Sequence, residues 1–175
     1  MNTPLPIEPL KIVYARETDI PVIQHIAEEA LFPAYQDVIP MAQIQYDLER
    51  EYATPALLEQ MHEKHHHFIL LYQNTEAIGF ASFSSQATEP QATYLHKLYL
   101  LPSLKGKGYG SYLMGFVEKV TQVEGYAGIA LMVNRNNPSV TFYQKAGFEI
   151  RQELSTDIGQ GFWRHDYLMF KHVSS

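Results

Sequence analysis

Lys105-Gly106-Lys107-Gly108-Tyr109-Gly110 combines three glycines with two cations, a composition suited to holding an anion. Glycines let the backbone approach a ligand closely and turn successive N–H groups toward one charge, and a following helix adds its unpaired N–H groups and dipole. The same kind of turn also serves to pack a helix against a sheet, so the hexapeptide alone leaves both readings open. The dinucleotide fingerprint fails, because Ser111 and Leu113 stand where a third glycine would be needed. The P-loop fails as well, since Lys107 is followed by Gly108 and not by Ser or Thr. The chain has no cysteine, which removes thiol nucleophiles, thiolate metal sites and disulfides. His62, His65, His66 and His67 invite a zinc reading, yet on a strand His65 and His67 face one side and His66 the other, with Glu63 the only nearby carboxylate. A solvated junction between helix and strand is expected there, with no metal.

The elements that must position this loop can be read from periodicity. Residues 11–15 suggest a strand, after which Thr18 or Asp19 can cap a helix through Val22, Ile23, Ile26, Ala27 and Ala30. Pro33 and Pro40 are expected to bracket a break. A second helical region covers about 41–64, interrupted where Thr54 can act as N-cap with Pro55 in the first turn. Residues 68–72 and 77–83 read as a hairpin around 73–76, and a polar loop near 86–91 precedes a third strand over 94–101. The hexapeptide follows at once. A helix over 108–124 is expected to stop at Gly125, then a buried strand over 127–133 and a short helix from Asn137-Pro138 to Gly147. Residues 148–150 and 162–170 supply two more strands.

With 175 residues and 46% apolar composition, one core and a single domain over 1–175 are expected. A net charge of −6 argues against nucleic acid as partner and suits a cationic amine. No apolar run is long enough to span a bilayer, and the N-terminal residues lack the order of a secretory signal, so the reading is a cytoplasmic protein with no membrane partner.

Two segments carry a resemblance to the GNAT superfamily of acetyl-CoA-dependent N-acetyltransferases, over about residues 12–169. The family's pyrophosphate motif, Gln/Arg-x-x-Gly-x-Gly/Ala, aligns with Lys105 to Gly110 after the strand Leu98-Tyr99-Leu100. Its later motif aligns with Asn136 to Phe148, including Tyr143, Gly147 and Phe148. Lys105 stands in place of Gln or Arg, a point charge without a guanidinium fork, and Ser139 in place of Ala.

The resemblance implies an α/β (α+β) fold with a mixed, mostly antiparallel central sheet flanked by helices, and acetyl-CoA as co-substrate. It implies that the backbone of Leu98, Tyr99 and Leu100 pairs with pantetheine, that Lys105, Gly106, Lys107, Gly108, Tyr109, Gly110 and Ser111 hold the pyrophosphate, and that Asn136 contacts the pantetheine arm. Tyr143 is the implied acid for the departing thiolate, and His96, on the strand before the loop, the implied base, directly or through water. Each also has a plainer reading, Tyr143 as packing beside Phe142 and Phe148, and His96 as a hydrogen-bonded sheet histidine. Phe32, Tyr35, Tyr46, Trp163, His165 and Asp166 are candidate acceptor walls. The overall pattern, including Leu98-Tyr99-Leu100 and the segment 161–169, is similar to bacterial spermidine/spermine acetyltransferases, which points to a small-molecule amine such as a polyamine. A protein amine acceptor and a CoA-binding module without turnover stay open, and a homodimer is compatible with all three.

Overall fold

The computed structural model describes residues 9–86 and 91–174. Most of the polar loop expected near 86–91, and the first eight residues, lie outside that range. Strand β1 (Leu10–Tyr14) leads through a short turn into helix α1 (Ile20–Tyr35), followed by α2 (Met41–Tyr52) and α3 (Thr54–His62). Strands β2 (His67–Gln73), β3 (Glu76–Gln86) and β4 (Ala92–Leu100) precede helix α4 (Tyr109–Val123). Strand β5 (Gly128–Asn134), helix α5 (Ser139–Lys145) and the hairpin β6 (Glu149–Gly159) with β7 (Phe162–His172) complete the chain. The strands form one sheet in the order β1-β2-β3-β4-β5-β7-β6. Every neighbouring pair is antiparallel except β4 with β5.

One apolar layer packs on each face. Leu113, Met114 and Val117 of α4 and Tyr143 of α5 join Leu95, Leu131, Val133 and Met169 on one side. Ile23, Ile26 and Ala27 of α1, Ile44 of α2 and Leu57 of α3 join Phe68, Leu70 and Phe80 on the other. Helical spacing on α1 and α4 turns a single stripe toward the sheet, which is why both helices could be read in advance.

The break expected between Pro33 and Pro40 falls at 36–40, with α1 running through Pro33 to Tyr35 and Gln36 still donating to the Phe32 carbonyl at 2.8 Å. Proline there gives up one helical N–H, and the turn after it closes nonetheless. Thr54 is not the cap of α3, because extended Ala53 occupies that position and the Thr54 hydroxyl instead accepts from Gln24 Nε2 at 3.1 Å. Strand β6 runs to Gly159, far beyond residue 150. It is an edge strand exposed along nearly its whole length, so no alternation of apolar residues marks it.

Candidate functional site

Strands β4 and β5 pair only from Ala92↔Gly128 to Leu95↔Leu131 and then part. Beyond Leu95, β4 keeps its partner β3, and β5 keeps β7, so the edges they turn toward each other carry free backbone groups. At the parting the register of β4 against β3 slips, since Ser82 faces Lys97 whereas Phe83 faces Leu95, leaving His96 as a bulge. The bulge breaks the alternation of faces. Thr93 and Leu95 point to α4, where Thr93 bonds Thr121. His96, Lys97 and Tyr99 all turn to the opposite side, toward α1, α2 and α3.

A cleft of about 420 Å³ opens at the parting, lined by Tyr35, Tyr94, His96, Leu98, Tyr143 and Asp166 among others. Tyr143 is buried and reaches this space from α5. Burial, then the neighbouring Tyr35, raises its pKa well above that of a free phenol, so the hydroxyl stays protonated at neutral pH. Tyr35 and Tyr99 share a hydrogen bond between hydroxyls at 3.1 Å. His96 meets Ser84 Oγ through Nε2 at 2.7 Å and stacks on His66 with ring centroids 3.7 Å apart. Burial, then His66 and Lys97, lowers its pKa to about 3, so the neutral ring prevails and is a weak proton sink.

Lys97 lies almost wholly buried, 2.8 Å from Gln60 Oε1 and 3.4 Å from Glu51 Oε2. For the lysine, burial outweighs attraction and lowers the pKa. For the more exposed Glu51, burial pulls upward, but Lys97 and Arg50 together hold the carboxyl below its ordinary value. Arg50 also pairs with Asp47 at 3.0 Å, and Arg164 Nε lies 3.2 Å from Asp166 Oδ2. Sequence reasoning passed over Lys97, Glu51, Asp47, Arg50, Arg164 and Tyr94. A buried lysine beside an unseen bulge leaves no periodic signal.

On the other side of the parting, Gly106 and Gly108 have left-handed φ angles of 79° and 87° with open space where a Cβ would stand. Gly108 caps α4, and Gly110 lets the first turn pass close to the Phe142 ring, which a Cβ would meet at 3.3 Å. The N–H groups of Gly106 to Ser111 donate to no backbone carbonyl among the described residues; the first such bond is Tyr112 to Gly108. Unpaired donors at a helix start, next to Lys105 and Lys107, fit a pyrophosphate. The unpaired inner edge along Leu98, Tyr99 and Leu100 fits an extended amide-bearing arm. The residues present therefore fit coenzyme A.

The structure brings most of the other candidates together but separates some. Asn136 is exposed in a turn, its N–H donating to Asn134 Oδ1 at 2.9 Å, whereas Asn137 is buried and lines the cleft. Phe32 is partly exposed on α1 and does not line the cleft. Tyr46 donates to the Ile158 carbonyl at 2.7 Å and Gln43 to the Trp163 carbonyl at 3.0 Å, so both tie α2 to the β6–β7 hairpin. His165 meets Ser155 at 2.9 Å. Among the described residues no three metal-ligating side chains converge, and no helix is long and apolar enough to cross a membrane.

The acetyltransferase (GNAT) family model matches residues 26–148. No curated protein matches the sequence. Among solved structures, the PaiA N-acetyltransferase from Thermoplasma acidophilum in complex with coenzyme A has a TM-score of 0.80 at 23% identity, covering 94% of this chain and 99% of its own. The ribosomal-protein-S18-alanine N-acetyltransferase from Escherichia coli has a TM-score of 0.69 at 19% identity, over 95% and 96% of the two chains. A spermidine N-acetyltransferase SpeG chimera from Vibrio cholerae and hSSAT has a TM-score of 0.68 at 15% identity, over 93% and 95%. At these identities the likenesses establish a shared fold.

Proposed function

Because the chain belongs to the acetyltransferase (GNAT) family, we propose that it acts as a single domain moving the acetyl group of acetyl-CoA to a primary amine of a small molecule. The observation that carries this reading is the parting of β4 and β5, which joins the donor-rich glycine loop on one side to the polar cleft on the other. Acetyl-CoA supplies an activated thioester carbonyl. The N–H groups of Gly106 to Ser111 hold the pyrophosphate, helped by Lys105 and Lys107, and the inner edge of β4 at Leu98, Tyr99 and Leu100 orients the arm. Asn137 supports the arm from a buried position more directly than Asn136, whose side chain is exposed. The Tyr143 hydroxyl donates a proton to the leaving sulfur, a role its protonated state favours.

Tyr35 and His96 line the acceptor side, with the neutral imidazole accepting a hydrogen bond from the incoming amine or an ordered water. A positively charged amine has a full proton to lose, and that proton needs a better acceptor than a ring near pKa 3. The cleft's carboxylates, Asp47, Glu51 and Asp166, are matched by Arg50, Lys97 and Arg164. With Lys64 also lining the cleft, a long polycation would meet more cations than anions there, so the charge balance favours an acceptor with a single amine over a polyamine.

The test uses a thiol-reactive dye, which has no protein background in a chain without cysteine. Screened with n-butylamine, spermidine, glycine and an alanine-initiated peptide, the protein is expected to release CoA fastest with a monoamine. Coenzyme A binding without release for any amine favours the module reading. Tyr143→Phe is expected to lower kcat by about 100-fold while leaving acetyl-CoA affinity within about threefold, measured by initial rates and calorimetry. An unchanged kcat removes Tyr143 as the acid.

A further inference from the structure

Asp166 is only 2% exposed, yet its Oδ2 has no hydrogen-bonding partner among the described residues. Arg164 Nε lies 3.2 Å away, near enough to attract the charge but not aligned to donate to it. An ionised carboxylate in such a place is costly unless something else donates to it. Its position says from where. Asp166 faces Asn134 across the β5–β7 ladder, at the end of β5 where β4 has already parted, and it lines the cleft with Tyr143 and His96. Cross-strand partners share a face, and alternation puts Arg164, Asp166, Met132 and Asn134 on the face away from the apolar layer of Leu131, Val133 and Met169. This is the face that His96 and Lys97 reach because of the bulge.

We infer that Asp166 is the carboxylate that receives the acceptor's ammonium group and takes its proton before acetyl transfer. The inference rests on the acetyltransferase reading and deepens it by naming the acceptor's first contact. One N–H bond of the ammonium breaks, its electron pair stays on nitrogen as the attacking lone pair, and the proton forms an O–H bond on Asp166. Arg164 is a positioning residue that keeps the carboxylate ionised until the ammonium arrives. The charged and titratable groups around Asp166 are Tyr35 from α1, Asp47, Arg50 and Glu51 from α2, Tyr94, His96 and Lys97 from β4, Tyr143 from α5 and Arg164 from β7, with His165 on the opposite face of that strand. Burial raises the Asp166 pKa and Arg164 opposes that rise, so the group sits above an ordinary aspartate while still able to lose its proton.

The experiment measures kcat/KM for the fastest amine of the panel across pH, in the wild-type chain, Asp166→Asn and Arg164→Gln, beside calorimetric acetyl-CoA affinity. Asp166→Asn is expected to lower kcat/KM about 100-fold at neutral pH with acetyl-CoA affinity unchanged, and the loss should shrink toward alkaline pH, where the amine is already free. Arg164→Gln should move the acidic limb of the profile upward, since the carboxyl then holds its proton more tightly. An Asp166→Asn loss within about threefold, or one equal at every pH, overturns the inference. A silent wild-type chain would sink the acetyltransferase reading separately, and carbon-13 NMR of aspartate-labelled protein then decides the Asp166 claim. The Asp166 carboxyl resonance, assigned by its absence in Asp166→Asn, shifts on adding n-butylammonium chloride if the cleft holds an ammonium there, and stays in place if it does not.

Discussion

His66 and His96 stack ring on ring beside Lys97, an arrangement that works only while both imidazoles are neutral. Burial first, then Lys97 and Lys64, lowers the pKa of His66 to about 4, and His96 is lowered further, to about 3. In the unfolded chain both return toward 6.5. Between those values the unfolded chain binds protons that the folded one refuses, so their contribution is complete above about pH 6.5 and is lost as pH falls below it. Glu51, held low in the fold, adds a similar loss nearer its own folded pKa, whereas Asp166, held high, acts in the opposite sense. Urea unfolding at pH 7.5 and pH 5 should therefore show stability falling on acidification, by on the order of 1 kcal/mol from the two half-buried rings. His96→Gln should flatten that dependence, and an unchanged slope would mean that the rings are not desolvated as the geometry implies.

At the scale of elements, the glycines of this chain divide into those that serve a ligand and those that serve the sheet. Gly108 has a left-handed φ with no atom near a prospective Cβ, so alanine there strains the backbone without a clash. Gly128 has an ordinary backbone, but a Cβ would stand 2.1 Å from the Lys171 carbonyl oxygen and 2.6 Å from the Phe170 ring. Gly108→Ala should cost about 1 kcal/mol of stability and weaken acetyl-CoA binding, whereas Gly128→Ala should cost on the order of 3 kcal/mol through the β5–β7 ladder. Paired thermal melts and calorimetry check both, and equal stability losses would contradict the distinction. Helix α4 and β5 were legible because an apolar stripe at helical spacing and a continuous apolar run of strand length each point to one element, whereas the Gly-rich turn gained a single meaning only beside the second motif at Asn136 to Phe148. The bulge at His96 was not legible, since a strand of Tyr94, Leu95, His96 and Lys97 reads as plain alternation, and only the pairing with β3 shows the extra residue. Tyr143 falls within α5 as expected, but the motif pointed to Asn136 whereas the buried amide is Asn137, because the turn between β5 and α5 decides which of two adjacent residues faces inward.

For the whole molecule, the sheet is a partition with an apolar layer on each face, and it is open at one place, where β4 and β5 part. The glycine loop and α5 stand on the α4 side of that opening, while Tyr35, His96, Lys97 and Asp166 stand on the other. Two ligands entering from opposite faces can meet there without either displacing the other, and no side chain has to carry the acetyl group between them. The residue types agree, because the chain has no cysteine and Tyr143 is held protonated, which makes it a poor nucleophile. Direct transfer within a ternary complex should then give initial-rate lines that intersect when both substrates are varied. Incubation with acetyl-CoA alone should leave the intact mass of the protein unchanged. Parallel lines together with a protein heavier by one acetyl group would require a covalent carrier, and the two-sided opening in the sheet would then need a different explanation.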